Sequence, residues 1–253
     1  MKTAICYFSG TGNGFDIALS LEKHIEGSNV FYIPFTDIEL LVNYSRLIIV
    51  SPIYSFGVPI IIKQFIDRIK LYKNKIYYGV LHYGGFKGNA RYYFKKLFDK
   101  SELVVNDIYT LKMPENFTID FVPPEKYIMK QLESSKKTIG EIAERIKRNE
   151  TNTINKNIFF FCDRIHENNA LKWPTMAYEH FNVTDKCNKC QICIKICPVK
   201  NIQIENEEIV FKQNCIACLA CYHRCPTCAI NYDSKTYDKK RYINPNVKIN
   251  EMR

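Results

Sequence analysis

The sequence predicts an α/β protein: a doubly wound sheet of five parallel strands, followed by a small α+β unit. Three observations carry this expectation. Short apolar runs alternate with longer helical periods over residues 1–157. A glycine-rich turn, SGTGNG, joins the first apolar run to the first helical period. Nine of the eleven cysteines fall between Cys187 and Cys228, in a pattern that occurs twice.

The elements follow in order. TAICYF (3–8) has the unbroken apolar pattern of a buried strand, and NGFDIALSLEKHIEG (13–27) is an amphipathic helix that stops at a glycine. NVFYIPF (29–35), RLIIVSP (46–52), KIYYGVLHYGG (75–85) and LVVNDIYTLKM (103–113) supply four more strands. VPIIIKQFIDRIKLY (58–72) and NARYYFKKLFDK (89–100) are helical, and a long helix spans 124–148 with Pro124 at its start. Strands interleaved with helices make a parallel sheet, whose ligands bind outside the carboxyl ends of the strands. The polar stretch NETNTINKN (149–157) closes this first domain at residue 157. Residues 158–182 are expected to form an apolar connecting segment, with Phe159 to Phe161 and Trp173 as packing residues; 183–235 form the cysteine-rich unit, and 236–253 a basic surface tail.

The cysteines follow C-x2-C-x2-C-x3-C-P from Cys187 and again from Cys215, every matched pair offset by 28 residues. Zinc sites more naturally show two separated C-x2-C pairs per metal. The spacing is that of the bacterial two-cluster ferredoxins, in which the fourth cysteine of each run ligates the other cluster. Residues 181–235 resemble that family. The resemblance implies two [4Fe-4S] clusters, one held by Cys187, Cys190, Cys193 and Cys225, the other by Cys215, Cys218, Cys221 and Cys197. Between the runs, NIQIENEEIVF (201–211) alternates apolar and polar residues around a polar turn, as a β-hairpin does. Cys228 matches Lys200 and is expected to be a small buried thiol beside the cluster, as Cys6 and Cys162 are expected to be buried hydrophobes.

The turn SGTGNG sits where strand-to-helix amides favour a phosphate. The dinucleotide fingerprint fails because Phe15 stands at its third glycine, and the P-loop Gly-Lys-Ser/Thr is absent. The turn is instead similar to the flavodoxin loop, T/S-x-T-G-N. Two further loops share the resemblance: SPIYSFGVP (51–59) after the third strand and HYGGFKGNA (82–90) after the fourth. It implies FMN, with Ser9, Gly10, Thr11, Gly12, Asn13 and Gly14 around the phosphate. The ring would lie against Ser51, Pro52, Ile53, Tyr54, Phe56 and Gly57 on one side and Tyr83, Gly84, Gly85, Phe86, Gly88 and Asn89 on the other. Tyr54 or Phe56 and Tyr83 or Phe86 would stack on it, and Gly57 would offer backbone to flavin N5. Many flavodoxins carry a threonine where this chain has Gly14.

The chain as a whole resembles the family of flavodoxin and ferredoxin fusions, which implies a flavodoxin-like sheet followed by a two-cluster ferredoxin domain. The function implied is one-electron transfer between FMN and the clusters in low-potential anaerobic-type metabolism, with redox proteins as donor and acceptor. The alternative is a flavin-dependent reductase acting on an organic substrate or on NAD(P)H. The formal charge of +10 falls to roughly +4 once two clusters and a flavin phosphate are counted, at about −2 each, and no basic stripe marks a nucleic-acid partner. The longest uncharged stretch, 47–62, is cut by Pro52, Gly57 and Pro59, so membrane insertion is not expected. The first residues lack a signal-peptide pattern, which makes the cytoplasm the expected compartment. The five histidines form no metal or nucleophile pattern, and His82, at the end of the fourth strand, is the one placed to meet the flavin.

Overall fold

The computed structural model describes residues 1–155, 176–248 and 251–252. Most of the expected connecting segment 158–182, with Phe159 to Phe161, Cys162 and Trp173, lies outside the described residues. The first domain is built on strands β1 (Thr3–Tyr7), β2 (Ser28–Tyr32), β3 (Arg46–Pro52), β4 (Ile76–Tyr83) and β5 (Val105–Lys112). All pair in parallel in the order β2-β1-β3-β4-β5, the flavodoxin-like order, which reverses at β1/β3. Every residue of β1 and β3 is buried, which is why both read as continuous apolar runs.

Helices α1 (Asn13–His24), α2 (Ile60–Ile69), α3 (Ala90–Lys100) and α4 (Glu125–Lys147) cover the sheet. Each buries one stripe, such as Phe15, Ile17, Ala18 and Leu21 of α1 or Ile62, Phe65, Ile66 and Ile69 of α2. The run NVFYIPF is a strand only as far as Tyr32. Pro34 cannot donate to a ladder, and Ile33–Phe35 turn away in a short 3-10 helix.

Asp107 on β5 anchors the outer helices. Its buried carboxylate lies 3.1 Å from Arg91 of α3 and 3.5 Å from Arg145 of α4, and it accepts the Ile108 N–H at 2.7 Å. Replacing Asp107 with alanine is expected to destabilise the domain by about 1–3 kcal/mol, because both arginine partners are part-exposed and can rehydrate. Chemical denaturation of the variant measures this, and an unchanged midpoint would remove the anchor from the account.

The cysteine-rich unit pairs β6 (Phe181–Val183) with β9 (Ile230–Tyr232), carries the hairpin β7 (Ile202–Glu205) and β8 (Glu208–Phe211), and contains two short helices, α5 (Ile192–Ile196) and α6 (Ala220–Arg224). Asn206 and Glu207 turn the hairpin with φ of 48° and 65°, as a two-residue primed turn requires. The 28-residue repeat extends to the backbone. Lys189 and Ala217, Gln191 and Leu219, and Lys200 and Cys228 are matched pairs, and all six residues are left-handed, with φ between 51° and 60°.

Residues 236–248 are not the free basic surface tail expected from sequence for 236–253. Thr236, Tyr242 and Asn244 are buried, and the segment crosses from the cysteine-rich unit back to α1. Its cations are used locally: Lys240 pairs with Glu125 at 3.0 Å, and the Arg241 guanidinium lies 3.5 Å over the Tyr222 ring. The segment lacks apolar periodicity because its asparagines hold it by hydrogen bonds, which leave no pattern in hydropathy.

Candidate functional site

The three loops predicted from sequence meet at the carboxyl end of the sheet. A cavity of about 450 Å³ there is lined by Asn13, by Pro52, Ile53, Tyr54 and Phe56 after β3, and by Tyr83, Gly84, Gly85 and Phe86 after β4. The Phe56 and Phe86 rings meet edge to face at 5.9 Å, and Phe56 packs on Gly88. Two further walls are not marked by the three sequence loops. Pro114, Glu115, Asn116 and Phe117 follow β5, and Ala217, Cys218 and Leu219 come from the cysteine-rich unit. The rule that ligands bind at strand carboxyl ends marks the 114–117 loop, whereas nothing local marks residues 217–219.

Ser9, Gly10, Thr11, Gly12 and Gly14 stand behind this cavity and not on its wall. The N–H groups of Gly12 and Gly14 both donate to Ser9 Oγ, at 2.9 and 3.2 Å, with Gly12 at φ 101°. Two amides converging on one oxygen form an anion nest at the start of α1, and a phosphate oxygen can take the place of the serine hydroxyl. Gly14 has a local reason. A Cβ there would lie 2.4 Å from the Phe8 carbonyl oxygen, so a threonine at this position does not fit.

The loop is also covered. Asn116 Nδ2 donates to Thr11 Oγ1 at 3.1 Å, and Asn13 Nδ2 donates to the Pro114 carbonyl at 2.9 Å. From the C-terminal segment, the Asn244 N–H donates to the Thr11 carbonyl at 2.9 Å, and the Tyr242 hydroxyl donates to Asn13 Oδ1 at 2.6 Å. His223 ties these parts together: its Nδ1 accepts the Tyr242 N–H at 3.0 Å, so its Nε2–H donates to the Asn116 carbonyl at 2.8 Å. Burial holds His223 neutral, its pKa pushed down to about 3.

The remaining predicted loop residues have local roles. Gly57 and Tyr54 exchange both backbone hydrogen bonds at 2.9 Å, which curls the loop tightly and engages the Gly57 N–H and C=O with Tyr54. Ser51 is buried with its hydroxyl on the Pro52 carbonyl, and Asn89 precedes α3.

His82 lines the cavity, is 4% exposed, and its Nε2 has no hydrogen-bond partner. Burial pushes its pKa down to about 3. The unfolded chain would bind this proton near pH 6.5, so His82 leaves stability intact above that value and erodes it as pH falls towards 3. Between pH 7.5 and 5.5 its share of the loss is about 1.4 kcal/mol. Denaturation of His82→Gln at both pH values is expected to show a shallower slope than the parent protein, and an equal slope would refute the assignment.

The cysteines surround two further cavities. Cys197, Cys215, Cys218 and Cys221 line one, with Phe181, Ile202 and Ile216; Cys187, Cys190, Cys193 and Cys225 line the other, with Ile192, Ile209 and Ile230. Each therefore receives its fourth cysteine from the opposite run. Four cysteines around each void supply the four-cysteine ligand set that an iron-sulfur cube takes. Burial pushes the thiols of Cys193 and Cys215 up to about 11 and of Cys218 to about 12, so iron must displace their protons. At Cys225 burial also raises the thiol, but N–H groups of Ile230 and Ala229 and the Thr227 hydroxyl outweigh it and leave the pKa lowered.

Cys228 corrects the sequence reading: it is exposed and lines neither cysteine cavity. It occupies the same left-handed turn position as Lys200, which points its side chain outward. Cys6 is fully buried on β1, as expected.

Residues 180–246 match the family described as the 4Fe-4S dicluster domain. No curated protein matches the chain. Among solved structures, it is similar to a flavodoxin from the domain Archaea, at 19% identity over 58% of this chain and 99% of that one, with a TM-score of 0.41. It is also similar to the two-electron-reduced flavodoxin of Megasphaera elsdenii, at 17% identity over 54% and 98% with a TM-score of 0.39, and to the Trp repressor binding protein of Bacillus subtilis, at 21% over 57% and 98% with a TM-score of 0.42. No described helix is long and apolar enough to cross a membrane. The chain thus joins a flavodoxin-like sheet to a 4Fe-4S dicluster domain in one polypeptide, the two halves meeting where the loop after β1 touches the loop around Cys218.

Proposed function

We propose that the protein is an electron carrier that passes single electrons between FMN and two [4Fe-4S] clusters, taking them from a low-potential protein donor and delivering them to a redox partner. The carrying observation is that Cys218 lines both the aromatic cavity at the sheet and one of the cysteine cavities. A flavin accepts electrons one or two at a time and a cluster passes one, so a shared wall makes a short path between them. Ser9, Gly12 and Gly14 would hold the phosphate, and Tyr54, Phe56, Tyr83 and Phe86 would keep water from the ring. Cys197, Cys215, Cys218 and Cys221 would hold the cluster next to the flavin, and Cys187, Cys190, Cys193 and Cys225 the outer one.

The test is anaerobic purification with iron, sulfide and FMN quantitation, followed by reduction. About eight irons, as two four-iron clusters require, and one FMN are expected. Four or fewer irons after full reconstitution, or no flavin uptake, would sink the proposal. Rapid oxidation of NAD(P)H by the protein alone would favour a reductase instead.

A further inference from the structure

A second, larger cavity, about 1090 Å³, is bounded on one wall by Ile243, Asn244 and Pro245 of the C-terminal segment. Its walls are largely apolar, including Tyr32, Phe35, Ile192, Ile196, Val247 and Met252, and it carries two cations, Arg224 and Lys195. Lys195 is exposed, whereas Arg224, at the end of α6, is only 7% exposed. Its Nη2 donates to the Met252 sulfur at 2.6 Å, its Nε is buried with no partner, and among the described residues no carboxylate lies within ion-pair distance of it. Among the described residues no Asp or Glu lines the cavity, and Glu251, next to Met252 on the C-terminal segment, pairs with Lys248 at 3.6 Å. Lys195 lines the cavity beside Arg224, and Cys218, a thiolate once iron is bound, and the Tyr32 and Tyr7 hydroxyls lie near the guanidinium.

A desolvated guanidinium is costly to bury without an anion, and a thioether is a poor acceptor. A planar fork of donors, 7% exposed, on the wall of an apolar cavity fits a carboxylate, and the other walls fit the hydrocarbon behind it.

We propose that this cavity binds an amphipathic organic monocarboxylate, its carboxylate paired with Arg224 and its apolar body against Phe35, Ile196 and Val247. Lys195 draws the anion towards the opening. The site is distinct from the flavin cavity, shares none of its lining residues, and does not depend on FMN being bound.

Calorimetric titration of the anaerobic holoprotein with decanoate tests this, with decanol and sodium sulfate as controls. Decanoate is expected to bind at one saturable site, and both controls much more weakly. Arg224→Met should weaken decanoate binding about 10- to 100-fold, the value of a charge-assisted pair, while iron and FMN content stay at parent levels. Lys195→Glu, a surface change, should weaken it several-fold, and it keeps the test valid if Arg224→Met does not fold. Equal binding of decanol would reduce the site to apolar partition and overturn the proposal, as would equal binding of sulfate or undiminished binding by both variants. A holoprotein that takes up no decanoate would mean that cluster charge near Cys218 alone neutralises Arg224, and would also overturn it.

Discussion

Replacing Cys225 with alanine is expected to halve the iron content, from about eight to about four atoms per chain, while FMN binding is retained. Cys225 lines the outer cysteine cavity with Cys187, Cys190 and Cys193, and none of these four lines the aromatic cavity. The same replacement at Cys228, three residues on, is expected to leave iron unchanged, because that thiol is exposed and lines neither cysteine cavity. Iron analysis and electron paramagnetic resonance of the two reduced variants separate these outcomes. Equal iron loss in both would make Cys228 a ligand and break the symmetry of the repeat.

Gly10→Ala is expected to have the second large effect, because it drives a wedge between the two domains. A Cβ at residue 10 would lie 2.3 Å from the Cys218 carbonyl oxygen, and both sides of that contact are backbone. No rotamer change relieves the overlap, so one loop must move. Overpacking of this kind costs about 1–3 kcal/mol, and here it also separates the aromatic cavity from the cluster loop. Denaturation should show the loss of stability, and stopped-flow reduction should show slower flavin reduction through the clusters. Parent-like values in both would mean that the loops do not touch in solution.

The sequence made the sheet legible because β1, β3 and β4 are buried almost throughout and the helices between them carry single apolar stripes. The cysteine sets were legible because ligand spacing is fixed by the short turns around a cube, and the 28-residue repeat preserves those turns down to Gln191 and Leu219. Contacts between residues far apart in the chain were not legible. Asn116, His223 and Tyr242 meet through hydrogen bonds spanning 19 and 107 positions, and each alone reads as an ordinary polar or aromatic residue. The exposure of Cys228 was misread for a related reason: composition favours burying cysteine, but its left-handed turn decides otherwise.

The closure of residues 242–247 over the turn at Ser9 to Gly14 bears on how the protein is made. The amide nest lies within residues 9–14, yet Thr11 and Asn13 gain their covering partners from residues 242 and 244. Synthesis must therefore run 229 residues past Asn13 before that cover can form. Until then the nest stays open to solvent, and the proposed flavin would have its widest window for entry. Once the cover is in place, a phosphate held as proposed would enter or leave only after Tyr242 and Asn244 let go, so exchange of the proposed flavin should be slow, with the nest held shut by a stretch of chain made roughly 10–50 seconds after it.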